Sequence, residues 1–208
     1  MNRSLLYCFA FAALLLSLIP VARADNSPAT TQSSADVDLS TPSAGVITCL
    51  HAINAGDIAT ARKASIHDDN INRFIDAVVA ENTAQQDYRK AAIVRFGNDP
   101  RLADLGSSSD LIELVNTSKT HDNGDTADIG EHGDFPCRQV DGQWHFDLVR
   151  QNPDPKTLQD TIVYLGQSAD NYHAFTKRVE AGEWKSLDEA MKAMGDAAPV
   201  PPPPPGGP

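Results

Sequence analysis

Asp141-Gly142, set between two runs of alternating apolar residues, constrains the fold of this chain more than any other feature. A two-residue reversal of this kind is the signature of a type I′ hairpin, whose two central residues both take positive φ. It fixes a register. Phe135, Cys137 and Gln139 face Leu148, Phe146 and Trp144 on one side, while Pro136, Arg138, Val140, Gln143, His145 and Asp147 occupy the other. A one-residue slip would turn the aromatics into water, so the pairing is strongly specified. Asn123-Gly124 predicts a second hairpin, in which Ile112, Leu114, Asn116, Ser118 and Thr120 share a face with Ala127 and Ile129. That register sets Lys119 opposite Asp128 and His121 opposite Thr126. The expected antiparallel sheet has one face on a core and one largely in solvent.

Helical patterns flank these strands. Thr41-Pro42 reads as an N-cap with proline at the first helical position, followed by the stripe Val46, Ile47, Leu50 and Ile53 and a stop at Gly56. Asp57 caps a short second helix over about Ile58 to Ser65. Asp68 or Asp69 starts a long one, with Ile71, Phe74, Ile75, Val78 and Val79, then Tyr88, Ala92 and Phe96, before Gly97. Its middle, Glu81 to Gln86, is polar and predicts a place where the helix can break. Asp154-Pro155 opens another long helix with Leu158, Ile162, Leu165, Ala169, Tyr172 and Val179 along one seam and Gly166 weakening its centre. Ser186 to Glu189 is a capping box that opens a last helix reaching about Met194.

The ends differ in kind from the middle. Residues 1–24 combine Arg3, an apolar run from Leu5 to Ile19, and Ala22-Arg23-Ala24. That is the pattern of a secretory signal peptide, too short and wrongly flanked for a permanent span. The mature chain is expected to begin near Asp25, in the periplasm or outside the cell. Losing Arg3 and Arg23 takes the net charge from −11 to −13, which repels nucleic acid and anionic lipid. No nucleic-acid partner and no stable membrane insertion are expected. Residues 25–42 are poor in large apolar side chains and are expected to be a disordered leader. Residues 197–208 are a proline-rich tail that favours an extended solvated spacer, and no basic residue flanks the prolines to orient docking. Residues 43–196 then form a single domain, with a core over 43–149 and a helical extension over 154–196.

Cys8 leaves with the signal, so Cys49 and Cys137 remain in an oxidising compartment. They form either a disulfide or two buried free thiols. A bridge between them would close a long loop and stabilise the fold by about 4–5 kcal/mol in the chain-entropy model.

Ala55-Gly56-Asp57 between the first helices, Gly124-Asp125-Thr126-Ala127 opening a strand, and the run Val140 to Leu148, VDGQWHFDL, together resemble exported bacterial members of the nuclear transport factor 2-like superfamily. The resemblance covers about residues 43–149. It implies an α+β cone, with N-terminal helices packed on a curved antiparallel sheet that closes around them. The helical segment after Asp154 departs from the usual pattern of that family. Such folds host isomerases and cyclases as well as plain binding proteins, so the fold does not settle the chemistry.

An enzyme of that kind needs a buried base in the cone. The hairpin registers place His121, Asp128, His145 and Asp147 on the outer face, which leaves only Asn116, Ser118, Thr120 and Gln139 as polar inner groups. His51 and Tyr88 are the alternative catalytic pair of an isomerase-, cyclase- or hydratase-like enzyme. The acidic run His121, Asp122, Asp125, Asp128, Glu131, His132 and Asp134 fits neither a calcium loop nor a zinc helix, and no metal or cofactor is expected. The leading expectation is an exported, non-catalytic protein that binds a small apolar ligand or an envelope protein, with Asn116, Ser118, Gln139 and Trp144 lining the pocket. A homodimer or oligomer-forming structural role is the third reading.

Overall fold

The computed structural model describes residues 37–199 and 201, which form an α+β fold of seven α-helices and one five-stranded sheet. The expected signal peptide (residues 1–24), the expected leader up to residue 36, and residues 200 and 202–208 of the tail lie outside the described residues. The helices are α1 (Pro42–Ala55), α2 (Ile58–Lys63), α3 (Asp69–Phe96), α4 (Ser109–Thr117), α5 (Leu148–Gln151), α6 (Pro155–Glu180) and α7 (Leu187–Ala197), with a 3-10 turn at Pro100–Leu102. The strands are β1 (Ser65–Ile66), β2 (Thr120–Asp122), β3 (Thr126–Ile129), β4 (Phe135–Val140) and β5 (Gln143–Asp147). They are ordered β1-β5-β4-β3-β2 in an open sheet, antiparallel except where β1 runs parallel to β5.

The hairpin at Asp141-Gly142 has the register its turn dictates. Both residues take positive φ, 51° and 79°, and Gln139 pairs with Trp144 and Cys137 with Phe146. Phe135, Cys137, Trp144, Phe146 and Leu148 are all buried. Asp147 corrects the expectation of a solvated outer face, because only 1% of it is exposed. It caps α5 by accepting from the Arg150 N–H at 3.0 Å, and it pairs with Arg138 at 2.6 Å.

The first hairpin differs more. Residues 109–117 are helical, because Leu111 and Val115 are spaced to bury one face of a turn of helix, leaving Leu114 exposed. Only Thr120 to Asp122 pairs with β3, setting His121 opposite Asp128 and Thr120 opposite Ile129. The reversal is centred on Gly124-Asp125, closed by Asn123 N–H to the Thr126 carbonyl at 2.8 Å, one residue beyond the Asn123-Gly124 prediction. The Asp122 carboxylate accepts from the Gly124 N–H at 2.9 Å and anchors this turn locally.

The helix ends follow their caps. Thr41 accepts from the Ala44 N–H, Asp57 from Thr60, and Asp154 from Lys156 and Thr157. Asp68, not Asp69, caps α3 by accepting from Asn70 and Ile71. At α7, Ser186 accepts from the Glu189 N–H, while Glu189 reaches back to Lys185 rather than to Ser186. The C-terminal part of the expected leader is ordered. Leu39 is buried, its carbonyl accepts from the Trp144 N–H at 2.8 Å, and the Asp38 carbonyl accepts from the Thr48 hydroxyl.

Helix α1 lies across β5, β4 and β3 and fills the inner face of the sheet. Gly45 is required there, since a Cβ would meet the Trp144 carbonyl oxygen at 2.4 Å. The long helices α3 and α6 pack along their whole lengths in the same direction. Arg73 meets Gln159 near their starts, Glu81 meets Ser168 at the middle, Tyr88 meets Tyr172 beyond it, and Arg95 approaches Gly182 past the end of α6. The helical segment after Asp154 is therefore half of the central packing.

Cys49 and Cys137 are free, buried thiols, which resolves the two alternatives against a bridge. The Cys49 thiol points to the Ala61 carbonyl on α2, and the Cys137 thiol to the Pro42 carbonyl at the start of α1. Pro42 and Cys49 are about 10 Å apart along the helix, so the sulfurs approach different turns. Burial pushes both thiols up to about 12. Both should resist alkylation at neutral pH in the native protein and react in denaturant, as mass spectrometry would show; a disulfide would leave neither to react. Gly45→Val should destabilise the fold by about 2–3 kcal/mol through overpacking against β5, read as a lower denaturant midpoint.

Candidate functional site

Two apolar clusters share α3 and α6. One joins α1, the sheet and the first halves of the long helices; the other joins Tyr88, Leu102, Tyr172, Phe175, Val179, Trp184 and Leu187. Between them lies a buried polar layer of Glu81, Asn82, Gln85 and Ser168. The polar stretch Glu81 to Gln86 therefore does not break α3, because these side chains meet partners on neighbouring elements. Gln85 accepts from the Gly106 N–H at 2.9 Å, and Gln86 donates to the Gly106 carbonyl and to the Asn54 carbonyl at the end of α1. Asn82 donates to the Asn54 side chain, which also accepts from the N–H and hydroxyl of Ser108. Gly106 fits this close approach because its φ is +68° and a Cβ would meet the Gln86 side chain at 2.5 Å.

A cavity of about 330 Å³ adjoins this layer. Its apolar wall is Leu102, Leu105, Leu111, Tyr172, Met191 and Met194, supplied by the 3-10 turn and its following loop, α4, α6 and α7. Tyr88 and Ser168 line its polar side. Arg101, Asp104, Ser107, Ser109, Asp110 and Asn171 complete the lining, with Gly195, Ala198 and Pro199 at and beyond the end of α7. Volumes from about 300 Å³ upward are those of small-molecule sites.

Four buried groups, Ser168, Glu81, Gln85 and Tyr88, form or back the polar side. Ser168 donates to Glu81 Oε1 at 2.8 Å, and Gln85 donates to the same oxygen at 3.0 Å. Glu81 Oε2 and the Tyr88 hydroxyl are fully enclosed and find no hydrogen-bond partner in the protein. Such a group costs about 1–3 kcal/mol while it stays unsatisfied. Burial pushes the Glu81 carboxyl up to about 7 against the opposing pull of Ser168 and Gln85. Burial also pushes Tyr88 up to about 12 and raises Tyr172, to which the Glu81 charge adds. Tyr88 and Tyr172 meet edge to face with centroids 5.8 Å apart. At the rim, Arg101 is held by Asp99 at 2.9 Å and Asp188 at 2.7 Å, so two carboxylates offset its charge.

The expected pocket residues are not brought together here. Asn116 is exposed on α4, Ser118 caps that helix, Gln139 donates weakly to the Gly142 carbonyl, and Trp144 is core beneath α1. The pocket moves off the sheet because α1 occupies its inner face. Of the alternative catalytic pair, Tyr88 lines the cavity and His51, half-buried on α1, does not. No histidine lines it. Sequence reasoning missed Glu81 and Ser168; the signal was a polar stretch interrupting two otherwise apolar helix faces. Among the described residues no group of His, Cys, Asp or Glu could hold a metal ion, and no helix is long and apolar enough to cross a membrane. No protein-family model, curated protein or solved structure matches this chain.

Glu81 gives stability a defined pH dependence. Between its ordinary value of 4.5 and about 7, the folded chain keeps a proton that the unfolded chain has released. Stability from this group therefore falls as pH rises through that window and levels off above it, a loss on the order of 3 kcal/mol. Glu81→Gln, which mimics the protonated form, should flatten this part of the profile and be more stable than the parent at pH 8. Equal slopes for the two proteins in denaturant titrations across pH 4–8 would contradict the assignment.

Proposed function

We propose that this chain is an exported, non-catalytic binding protein that takes a small apolar ligand in the cavity between α3, α6 and α7. The observation that carries this reading is the cavity itself. An apolar wall with two methionines faces a short polar side on which the Tyr88 hydroxyl is buried without a partner. Few convergent polar groups in a mostly apolar cleft are the usual make-up of a small-molecule site, and methionines adapt to ligand shape. No histidine in the lining, and a Glu81 carboxylate reached only through Ser168, favour binding over turnover. Export rests on the signal pattern of residues 1–24. The nuclear transport factor 2-like reading of residues 43–149 draws support from the order of helices before strands and from the last hairpin. The proposed site does not depend on it, since the cavity lies away from the sheet.

Naphthol, a fluorescent molecule of about the volume available, is a suitable probe. It should bind the mature protein, and Met194→Trp should weaken binding at least about tenfold by filling the wall, with an unchanged circular dichroism spectrum. Asn116→Ala and Gln139→Ala should leave binding unaltered. No naphthol binding, or loss of binding on changing Gln139 but not Met194, would remove this reading. N-terminal sequencing of the exported form should begin at or near Asp25.

A further inference from the structure

Ser168 stands between the cavity and the Glu81 carboxyl. It lines the space and donates to Glu81 Oε1 at 2.8 Å, so the carboxyl lies one hydrogen bond behind the lining and does not itself border the space. Glu81 has no exposed surface, and its Oε2 has no hydrogen-bond partner in the protein. Among the described residues no cation faces it. On α6 it meets Tyr164, Ser168 and Tyr172, and along α3 it is followed by Gln85 and Tyr88. Helix α1 and the loop after the 3-10 turn bring Asn54, Gly106 and Ser108 to the same layer, all uncharged. Burial pushes Tyr88 and Tyr164 up to about 12 and raises Tyr172, so the tyrosines keep their protons at neutral pH. Glu81, pushed up to about 7, is the group of this layer that changes charge there.

An enclosed charge without a counter-ion draws its stabilisation from the nearest medium of high dielectric. In the free protein that medium is the solvent that enters a space of about 330 Å³ on the other side of Ser168. An apolar molecule filling the space removes it, which disfavours the ionised carboxyl and leaves the protonated one nearly unaffected. Given the binding function proposed above, we infer that the site is proton-linked: it takes its apolar ligand while Glu81 is protonated and releases it when Glu81 ionises. The ligand makes no contact with the carboxyl; the coupling acts through Ser168 and the displaced solvent. Affinity is greatest at low pH, falls as pH rises through the Glu81 transition, and levels off above it, and binding takes up a proton within that window. An exported protein built this way loads in acid surroundings and unloads as they turn alkaline.

Naphthalene tests this, because it has the ring of naphthol and no titratable group. Its affinity for the full mature protein, followed by fluorescence from about pH 5.5 to about pH 8.5 with circular dichroism at each point, should weaken at least about fivefold. Calorimetry in two buffers of different ionisation enthalpy should show proton uptake near neutral pH. Glu81→Gln should keep the low-pH affinity of the parent throughout and abolish the uptake. Ser168→Ala removes a hydrogen bond that favours the carboxylate and should move the midpoint of the profile to higher pH, which a merely structural role would not do. A change below about fivefold, no proton uptake by the parent, or a dependence that survives in Glu81→Gln and so belongs to a histidine would each overturn the linkage and leave the binding site standing. Should Glu81→Gln not fold, the parent's proton uptake and the Ser168→Ala midpoint decide. If neither naphthol nor naphthalene binds at about pH 5.5, both readings fail.

Discussion

The parallel contact between α3 and α6, with Glu81 and Ser168 meeting at its centre, is what the rest of the structure depends on. Parallel helices cannot be joined by a short turn. The chain must travel back from the end of α3 to its beginning, and the 3-10 turn, α4, the hairpins and α5 make that return. The sheet is thus the path by which two long helices are brought side by side. Their apolar faces leave many sliding positions of similar energy, and the buried polar layer removes that freedom. A displacement by one turn would separate Glu81 from Ser168 and Gln85 from the Gly106 N–H, leaving buried groups unsatisfied.

The same layer divides the molecule into two ends with different properties. At one end α1 presses onto the sheet so closely that Gly45 has no room for a side chain, and the interior is filled. At the other, α7 and the loop after α3 close over Tyr88 and Tyr172 and leave a cavity. Polar groups that border this space inherit its low dielectric, which explains why the Glu81 carboxyl holds its proton to about neutral pH. The stability cost of this carboxyl has the same origin: ionising it would enclose a charge without a cation.

Surface charge plays a smaller part in stability. Exposed pairs such as Arg178 with Glu183 and Lys156 with Asp160 sit in high dielectric and contribute little each. Arg178 gains more by stacking over Trp184, its guanidinium carbon 4.4 Å from the ring centroid, which ties the end of α6 to the segment before α7.

The sequence by itself determined the local elements whose signals are short-range. Thr41-Pro42, Asp57, Asp68 and Asp154 set helix starts through bonds to N–H groups two or three residues on, and Asp141-Gly142 set its hairpin through dihedrals that few residues adopt. It misjudged residues 109–117, where alternate positions and helical spacing both select apolar residues and only the burial of Leu111 and Val115 against α1 and its neighbours decides between them. It left the two-residue strand β1 unseen, because that strand exists only through its pairing with β5. The site was the least legible part. A run of polar residues in a helix reads the same whether it meets water or the side chains of another helix, and a pocket is the space that packing leaves over. Which groups surround that space is a property of contacts between residues far apart in the chain, and tertiary structure alone decides them.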